Sequence, residues 1–295
     1  MNIEKLVLGV DAGNHECKVA GPYGVKKGNS TICEWFERDF DDEYGKGDDF
    51  EFFIKGRKGY MGTIASYEDQ FGGGSLYGDT KANDDTGIRV LLSVHRYIRD
   101  NCPGVSRVSL VTGQPVKMHK AKEKQKIIDM LVGSHDFIAN GERVQFTIEN
   151  AAVVAEGSGA YFAESGSRSG KGTYRIIDIG SGTLNCVTVK DGKQNNNESG
   201  TFNFGMETIK SGTDISAIAR GINTSASELR WKREDNVIVC GGAASELLPY
   251  IQKHFTRART VSPTLIQGKG LQILNSVYAN AVGFYNMANR AFGNA

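Results

Sequence analysis

Apolar residues recur along this chain at two spacings, and the change from one to the other marks its elements. Residues 5–21, "KLVLGVDAGNHECKVAG", place a polar interruption at Asp11–Asn14 between two apolar runs, which predicts two strands and a tight turn. Short strands are expected at 29–39 and 50–64, with a hairpin-like break at Gly56–Gly59. The spacing then becomes helical: Ile88, Leu91, Leu92, His95 and Ile98 fall on one face of residues 84–100. "VSRVSLVTGQPV" (105–116) reads as a buried strand, "KMHKAKEKQKIIDML" (117–131) as a charged amphipathic helix and "ERVQFTI" (142–148) as a strand. "ENAAVVAEGSGAYFAES" (149–165) reads as a helix of small residues, and "SGSRSGKGT" (165–173) as a loop and hinge.

The second half repeats the opening pattern. Strands are predicted at 174–179 and 184–190, with a turn at Gly192 and a further strand near 200–204. A helix fits "METIKSGTDISAIARGI" (206–222). "DNVIVCGGAASELLPYIQKHF" (235–255) gives a strand, a Gly-Gly turn and a helix. "LQILNSVYANAVGFYNMANRAF" (271–292) predicts a final helix whose small residues Ala279, Ala281 and Gly283 permit close packing. Each half thus opens with a strand–Asp–Gly–strand hairpin followed by mixed elements, an α/β pattern of two similar domains. Two stretches fall outside it: the acidic "RDFDDEYGKGDD" (38–49), read as a solvated loop, and the long Gly-rich "YEDQFGGGSLYGDTKANDD" (67–85).

Composition narrows the class. The 295 residues can bury one large core or two modest ones, and a net charge of +1 argues against a broadly basic nucleic-acid surface. No apolar run is long enough to span a bilayer and no signal peptide opens the chain, so a cytoplasmic protein is expected. The five cysteines include no C-x-x-C pair and the five histidines no H-x-x-x-H pair, which excludes a disulfide framework or a protein-held metal cage from the reading. Cys186 and Cys240 lie in apolar runs and are expected to be buried thiols.

The two hairpins carry the candidate chemistry. A glycine-rich turn presents backbone N–H groups that can wrap phosphate oxygens. An aspartate beside it repels phosphate directly, but can hold hydrated Mg2+ that bridges to it. "VDAGNHECK" and "IIDIGSGTLNCV" both fit, with Asp11 and Asp178 on the metal side. Lys18, seven residues past Asp11, can meet phosphate as a point charge. One such turn alone reads as ordinary hairpin chemistry; two, both flanked by apolar strands, favour a phosphate clamp. "GSRSGKGT" is a decoy for a phosphate loop, since only three residues separate Gly166 from Gly170 and Gly172 follows Lys171.

The order of these pieces resembles the superfamily of actin, heat-shock chaperone and sugar kinase ATPases. "VDAGNHECK" is similar to its first phosphate loop and "ENAAVVAEGSGAYF" to its first connecting helix, with Glu156 in the "EG" position. "IIDIGSGTLNCV" is similar to the second phosphate loop, "VIVCGGAA" to the adenosine motif, and "NSVYANAVGFYNMA" to the second connecting helix with its "NARG" segment. "LVTGQPV" and "GDTKANDDTGIRVLLSVHRYI" resemble segments of the ParM/StbA plasmid-segregation group of bacterial actin-like proteins. Gln114 departs from that group's apolar residue, and Ala281-Val282-Gly283 from its "ARG".

The resemblance implies an actin-like ATPase fold of two similar domains flanking a nucleotide cleft. Residues 1–162 with 273–295 would form the first and 163–272 the second. It implies ATP, with GTP as the alternative base, and Mg2+ held by Asp11 and Asp178 through water. Glu156 and Asp178 would act on the attacking water. Asp11, Gly13, Asn14, Lys18, Gly180, Ser181, Gly182 and Thr183 would meet the phosphates. Glu207, Lys210, Ser211, Gly241, Gly242 and Ala243 would enclose the nucleoside. The implied function is nucleotide-dependent filament formation that segregates plasmid DNA. Its partners are further copies of the chain and a DNA-binding adaptor, with neither nucleic acid nor membrane bound directly. A small-molecule kinase of the same fold, or a nucleotide-binding adaptor without filaments, are the alternatives.

Overall fold

In the computed structural model, residues 5–38, 47–68, 80–164, 171–206, 212–267 and 270–293 are described. The first apolar runs form β1 (Leu6–Ala12) and β2 (Glu16–Gly21), followed by β3 (Gly24–Asn29) and the short β4 (Ile32–Glu34). β5 (Phe50–Ile54) and β6 (Arg57–Met61) make a hairpin that turns at Lys55 and Gly56, both at positive φ. A short helix, α1 (Thr63–Glu68), follows. The helical spacing gives α2 (Asp84–Asn101), whose start is fixed by the Asn83 side chain accepting from the Thr86 N–H, with Asp84 and Asp85 in the first turn.

β7 (Arg107–Gln114), a 3-10 turn at Val116–Met118, α3 (Ala121–Leu131), β8 (Gly133–Ala139), β9 (Glu142–Ala155) and α4 (Ser158–Ala163) complete this half. Its strands form one nine-stranded sheet in the order β3-β2-β1-β7-β9-β8-β5-β6-β4. β1, β7 and β9 run parallel, so their C-terminal ends, at Ala12, Gln114 and Ala155, lie side by side. β7 is buried along nearly its whole length, which is why its sequence is a continuous run without alternation.

The second half places β10 (Thr173–Ile179) and β11 (Leu184–Lys190) as an antiparallel pair, with β12 (Lys193–Gln194) and β13 (Gly200–Phe202) along β11. α5 (Ile215–Glu228) starts at an Asp214 cap, and β14 (Asn236–Gly241) runs parallel to β10. α6 (Ala244–Ile251), the short β15 (Arg259–Thr260), a hairpin of β16 (Thr264–Gln267) with β17 (Gly270–Ile273), and α7 (Ala279–Phe292) end the chain. One core cluster fills the nine-stranded half and another the β10–β14 half under α5 and α6. A third draws Ala20, Tyr161, Ile176, Val187 and Val282 from both and holds the two sheets together. At this junction α7 packs on β1 without intervening side chains: a Cβ at Gly9 would run into the backbone of Tyr285. The fold is the expected α/β one with two sheets, all five cysteines are buried and outside any disulfide, and no helix among the described residues is long and apolar enough to cross a membrane.

Several elements differ from expectation. Residues 149–155 are strand, not helix. They extend β9 in parallel register with β7, from Ser109 opposite Asn150 to Gln114 opposite Ala155, and only 158–163 is helical. The β-branched Val153 and Val154 suit that pairing, which overrides the helix propensity of the alanines. "LQI" is β17 rather than helix: its residues pair with β16 and stay exposed, and α7 begins only at Ala279. α3 starts four residues later than predicted, after the 3-10 turn, and α5 runs on to Glu228. Strand β3, strand β8 and helix α1 were not foreseen. The middle of the acidic stretch, most of the Gly-rich loop, Gly166 and Gly170 of the decoy, and residues 207–211 of the predicted 206–222 helix lie outside the described residues.

Candidate functional site

A cleft of about 600 Å³ lies between the two sheets, in the range of pockets that hold a small ligand. It opens at the ends of β1, β9, β10 and β14, where the two aspartates and the glycine turns meet. Asp11, Gly13, Asn14, Lys18, Glu156, Asp178, Gly180, Ser181, Gly182, Thr183, Gly241, Gly242 and Ala243 all line it. Glu207, Lys210 and Ser211 lie outside the described residues.

Each turn is held by its own backbone. In the first, the Gly13 N–H donates to the Asp11 carbonyl at 3.1 Å and the Ser30 hydroxyl to the Gly13 carbonyl at 2.8 Å. In the second, the Gly180 N–H donates to the Thr183 carbonyl at 3.0 Å, and the Met206 N–H to the Gly180 carbonyl at 3.1 Å. Gly241 sits at φ +100 against the Ile179 carbonyl, a place no side chain can occupy. A methyl at Gly182 or Gly242 would stand in open space, so backbone there can approach a ligand closely.

Three carboxylates converge on the floor. Asp178 is buried, and burial, with the nearby charges of Asp11 and Glu156, pushes its pKa up to about 6. Its Oδ2 accepts from Asn280 Nδ2 at 3.0 Å, and Cys240 Sγ lies 3.5 Å from Oδ1. Glu156 follows β9, its N–H donating to the Gln114 carbonyl at 2.9 Å. One carboxylate oxygen pairs with Lys81 Nζ; the other accepts from Asn185 Nδ2 at 3.1 Å. Lys81 also donates to the Ala12 carbonyl at 2.6 Å, which joins the first turn to Glu156. Burial works against the Lys81 ammonium, but Glu156 and Asp11 outweigh it and hold its pKa above the usual value. Lys18 lies within the cleft wall with Nζ 3.5 Å from Glu16 Oε2.

Lys81, Asn185 and Asn280 were missed as site residues. Asn185 had a findable signal: it stands seven residues past Asp178, as Lys18 stands seven past Asp11, and each is its aspartate's direct partner across the hairpin. Lys81 had a signal in the resemblance, as the lysine between the Gly-rich loop and α2, just before the Asn83 cap. Asn280 had a signal only through the resemblance, as the first residue of the segment set against "NARG".

A hydrated cation fits this floor. Among the described residues no group of three His, Cys, Asp or Glu is set to hold a metal. Two aspartates of one cleft, one of them buried with its pKa raised by that burial and then by the neighbouring carboxylates, suit an ion that keeps most of its ligands as water and phosphate.

Comparison with known proteins bears on the family and the fold. Residues 9–159, just over half the chain, match the family model described as the actin like proteins N terminal domain. Among solved structures, an AlfA filament bound to AMPPNP superposes with a TM-score of 0.75 at 20% identity, covering 98% of each chain. The AlfA filament from B. subtilis plasmid pLS32 gives 0.74 at 21% identity, covering 94% of this chain and 97% of that one. Apo pSK41 ParM gives 0.71 at 16% identity, covering 98% of each. At these identities the structures share the fold. No curated protein matches the sequence.

Proposed function

Since the chain belongs to the actin-like proteins, we propose that it binds ATP with Mg2+ in this cleft, hydrolyses it, and assembles into filaments that segregate plasmid DNA. The observation that carries this reading is the pair of Asp–glycine turns facing each other across one cleft with a buried, doubly held glutamate between them. The AMPPNP bound to the AlfA filament supports an adenine nucleotide. GTP is the other base to test.

In this reading, backbone at Gly13, Asn14, Gly180, Ser181, Gly182 and Thr183 and the Lys18 ammonium hold the phosphate tail. Gly241, Gly242, Ala243 and the 207–211 segment hold the nucleoside. Asp11 and Asp178 hold hydrated Mg2+, which would neutralise charge on the transferring phosphoryl group. Glu156 orients a water in line with the terminal phosphorus. Lys81 and Asn185, one on each carboxylate oxygen, keep Glu156 from turning away. Attack forms the new P–O bond as the bond to the bridging oxygen breaks, giving ADP and phosphate. The proposed domain division is 1–162 with 273–295, and 163–272. Filament growth needs two different surfaces in head-to-tail contact, and an adaptor would link the polymer to DNA.

Light scattering and pelleting with ATP, GTP, ADP and no nucleotide, each with Mg2+ or a chelator, test the reading. Polymer and phosphate release with ATP and Mg2+ are expected. A chain that stays monomeric at high concentration with every nucleotide under varied salt refutes filament formation. ATP turnover dependent on a small acceptor would indicate a kinase.

A further inference from the structure

Asn280, near the start of α7, uses both ends of its carboxamide. Its Oδ1 accepts from the Gly157 backbone N–H at 3.0 Å, and its Nδ2 donates to Asp178 Oδ2 at 3.0 Å. The chemistry fixes which end is which: turned over, the amide would set oxygen against a carboxylate and NH2 against an N–H. Gly157 directly follows Glu156 at the end of the nine-stranded sheet, and Asp178 belongs to the other sheet. One side chain therefore joins the peptide behind Glu156 to Asp178.

The backbone around it leaves little slack. A Cβ at Gly159 would lie 2.7 Å from Asn280 Cα, and one at Gly283 would run into the Gly159 carbonyl. α4 and α7 thus cross backbone to backbone, with Asn280 at the crossing. Gly157 itself is at φ +82, and a Cβ there would lie 2.9 Å from Val187 Cγ2 and 3.3 Å from Asp178 Cβ. A buried amide with both ends satisfied has one stable pose, and loss of either bond leaves a buried polar group unpaired.

We infer that Asn280 is a positioning residue that ties the crossing of α4 and α7 to Asp178, so that the spacing of Glu156 and Asp178 follows the relative position of the two sheets. This rests on the hydrolytic reading above. Through this link, a closing movement of the halves on nucleotide reaches both carboxylates at once.

Asn286 supplies the control. It lies on the same helix and donates to the Phe162 carbonyl of α4 at 2.8 Å, so it too ties α7 to α4 by a side-chain-to-backbone bond but reaches no carboxylate. Asn280→Ala and Asn286→Ala are compared in ATP affinity, kcat and exchange of the Gly157 amide. Asn280→Ala is expected to bind ATP as the wild type does and to lose about tenfold to a hundredfold in kcat, the range for losing a partner that orients a reacting group. Asn286→Ala is expected to keep kcat. Asn280→Ser, which leaves a polar group in the space, serves where the alanine variant does not fold. Equal losses in both variants, or an unchanged kcat in the Asn280 variants, overturn the inference. If the wild type binds no ATP, the functional reading itself falls. The amide exchange, measured without nucleotide, still decides the link: faster exchange at Gly157 in Asn280→Ala alone supports it, and unchanged exchange overturns it.

Discussion

Asp178→Asn should make the nucleotide-free protein more stable while ending its activity. Asp178 is buried beside two other carboxylates, and its pKa of about 6 stands above the ordinary 3.8. The native state therefore keeps a proton that the unfolded chain releases between those values. Stability falls as pH rises through that window, and the whole penalty is present above pH 6. A gap of about two units corresponds to roughly 3 kcal/mol at neutral pH. Asparagine removes the charge and keeps the shape, and its side-chain oxygen can still accept from Asn280. For a chain of 295 residues that gain amounts to about 5 °C in Tm. The assay is thermal unfolding of wild type and variant in a chelator, without nucleotide, from pH 4 to 8. The variant's advantage should be absent near pH 4, grow to pH 6 and stay level above it. A variant no more stable than wild type at pH 8, or an advantage independent of pH, would refute the reasoning. Adding ATP and Mg2+ should favour the wild type, because only ligand bound to the native state stabilises it.

Lys81→Met should act in the opposite sense: it leaves Glu156 buried without its cation and lowers stability by about 3 kcal/mol, read from the urea midpoint. Glu156→Gln should cut phosphate release by about a hundredfold or more while ATP affinity changes little, and its polymer should outlast the wild type's after a limiting ATP pulse. Normal release would assign the water to another residue, and loss of ATP binding would make Glu156 a structural group.

The parts of the site written in contiguous residues were legible in the sequence. Asp11–Gly13 and Asp178–Gly182 state their chemistry within a few positions, because a turn needs its glycine and a metal its carboxylate at fixed local spacing. Gly241–Gly242 and the placing of Glu156 came from the same order of motifs. The element around Glu156 did not. "ENAAVVA" has the alanines of a helix, and only β7 alongside makes it a strand. That difference has a consequence for the chemistry. As the residue after a parallel strand, Glu156 is aimed from the same edge of the sheet as Ala12 and Gln114, whereas a residue within a helix would take its direction from the helix axis.

The groups that pattern reading overlooked share one property. Lys81, Asn185 and Asn280 each satisfy a carboxylate that lies far away in sequence, so their own neighbourhood does not state which group they serve. They are also what makes the site physically tenable. Three carboxylates brought together in a buried floor repel one another, and each needs either a cation or a hydrogen-bond donor. Lys81 and Asn185 supply a cation and a donor to Glu156, and Asn280 supplies a donor to Asp178, while Asp11 is only partly buried. The residue types that announce the chemistry are thus local, while those that hold it in place are set by tertiary packing. The remaining imbalance falls on Asp178, whose pKa is raised first by burial and then by the charges of Asp11 and Glu156, a cost that a bound cation would relieve.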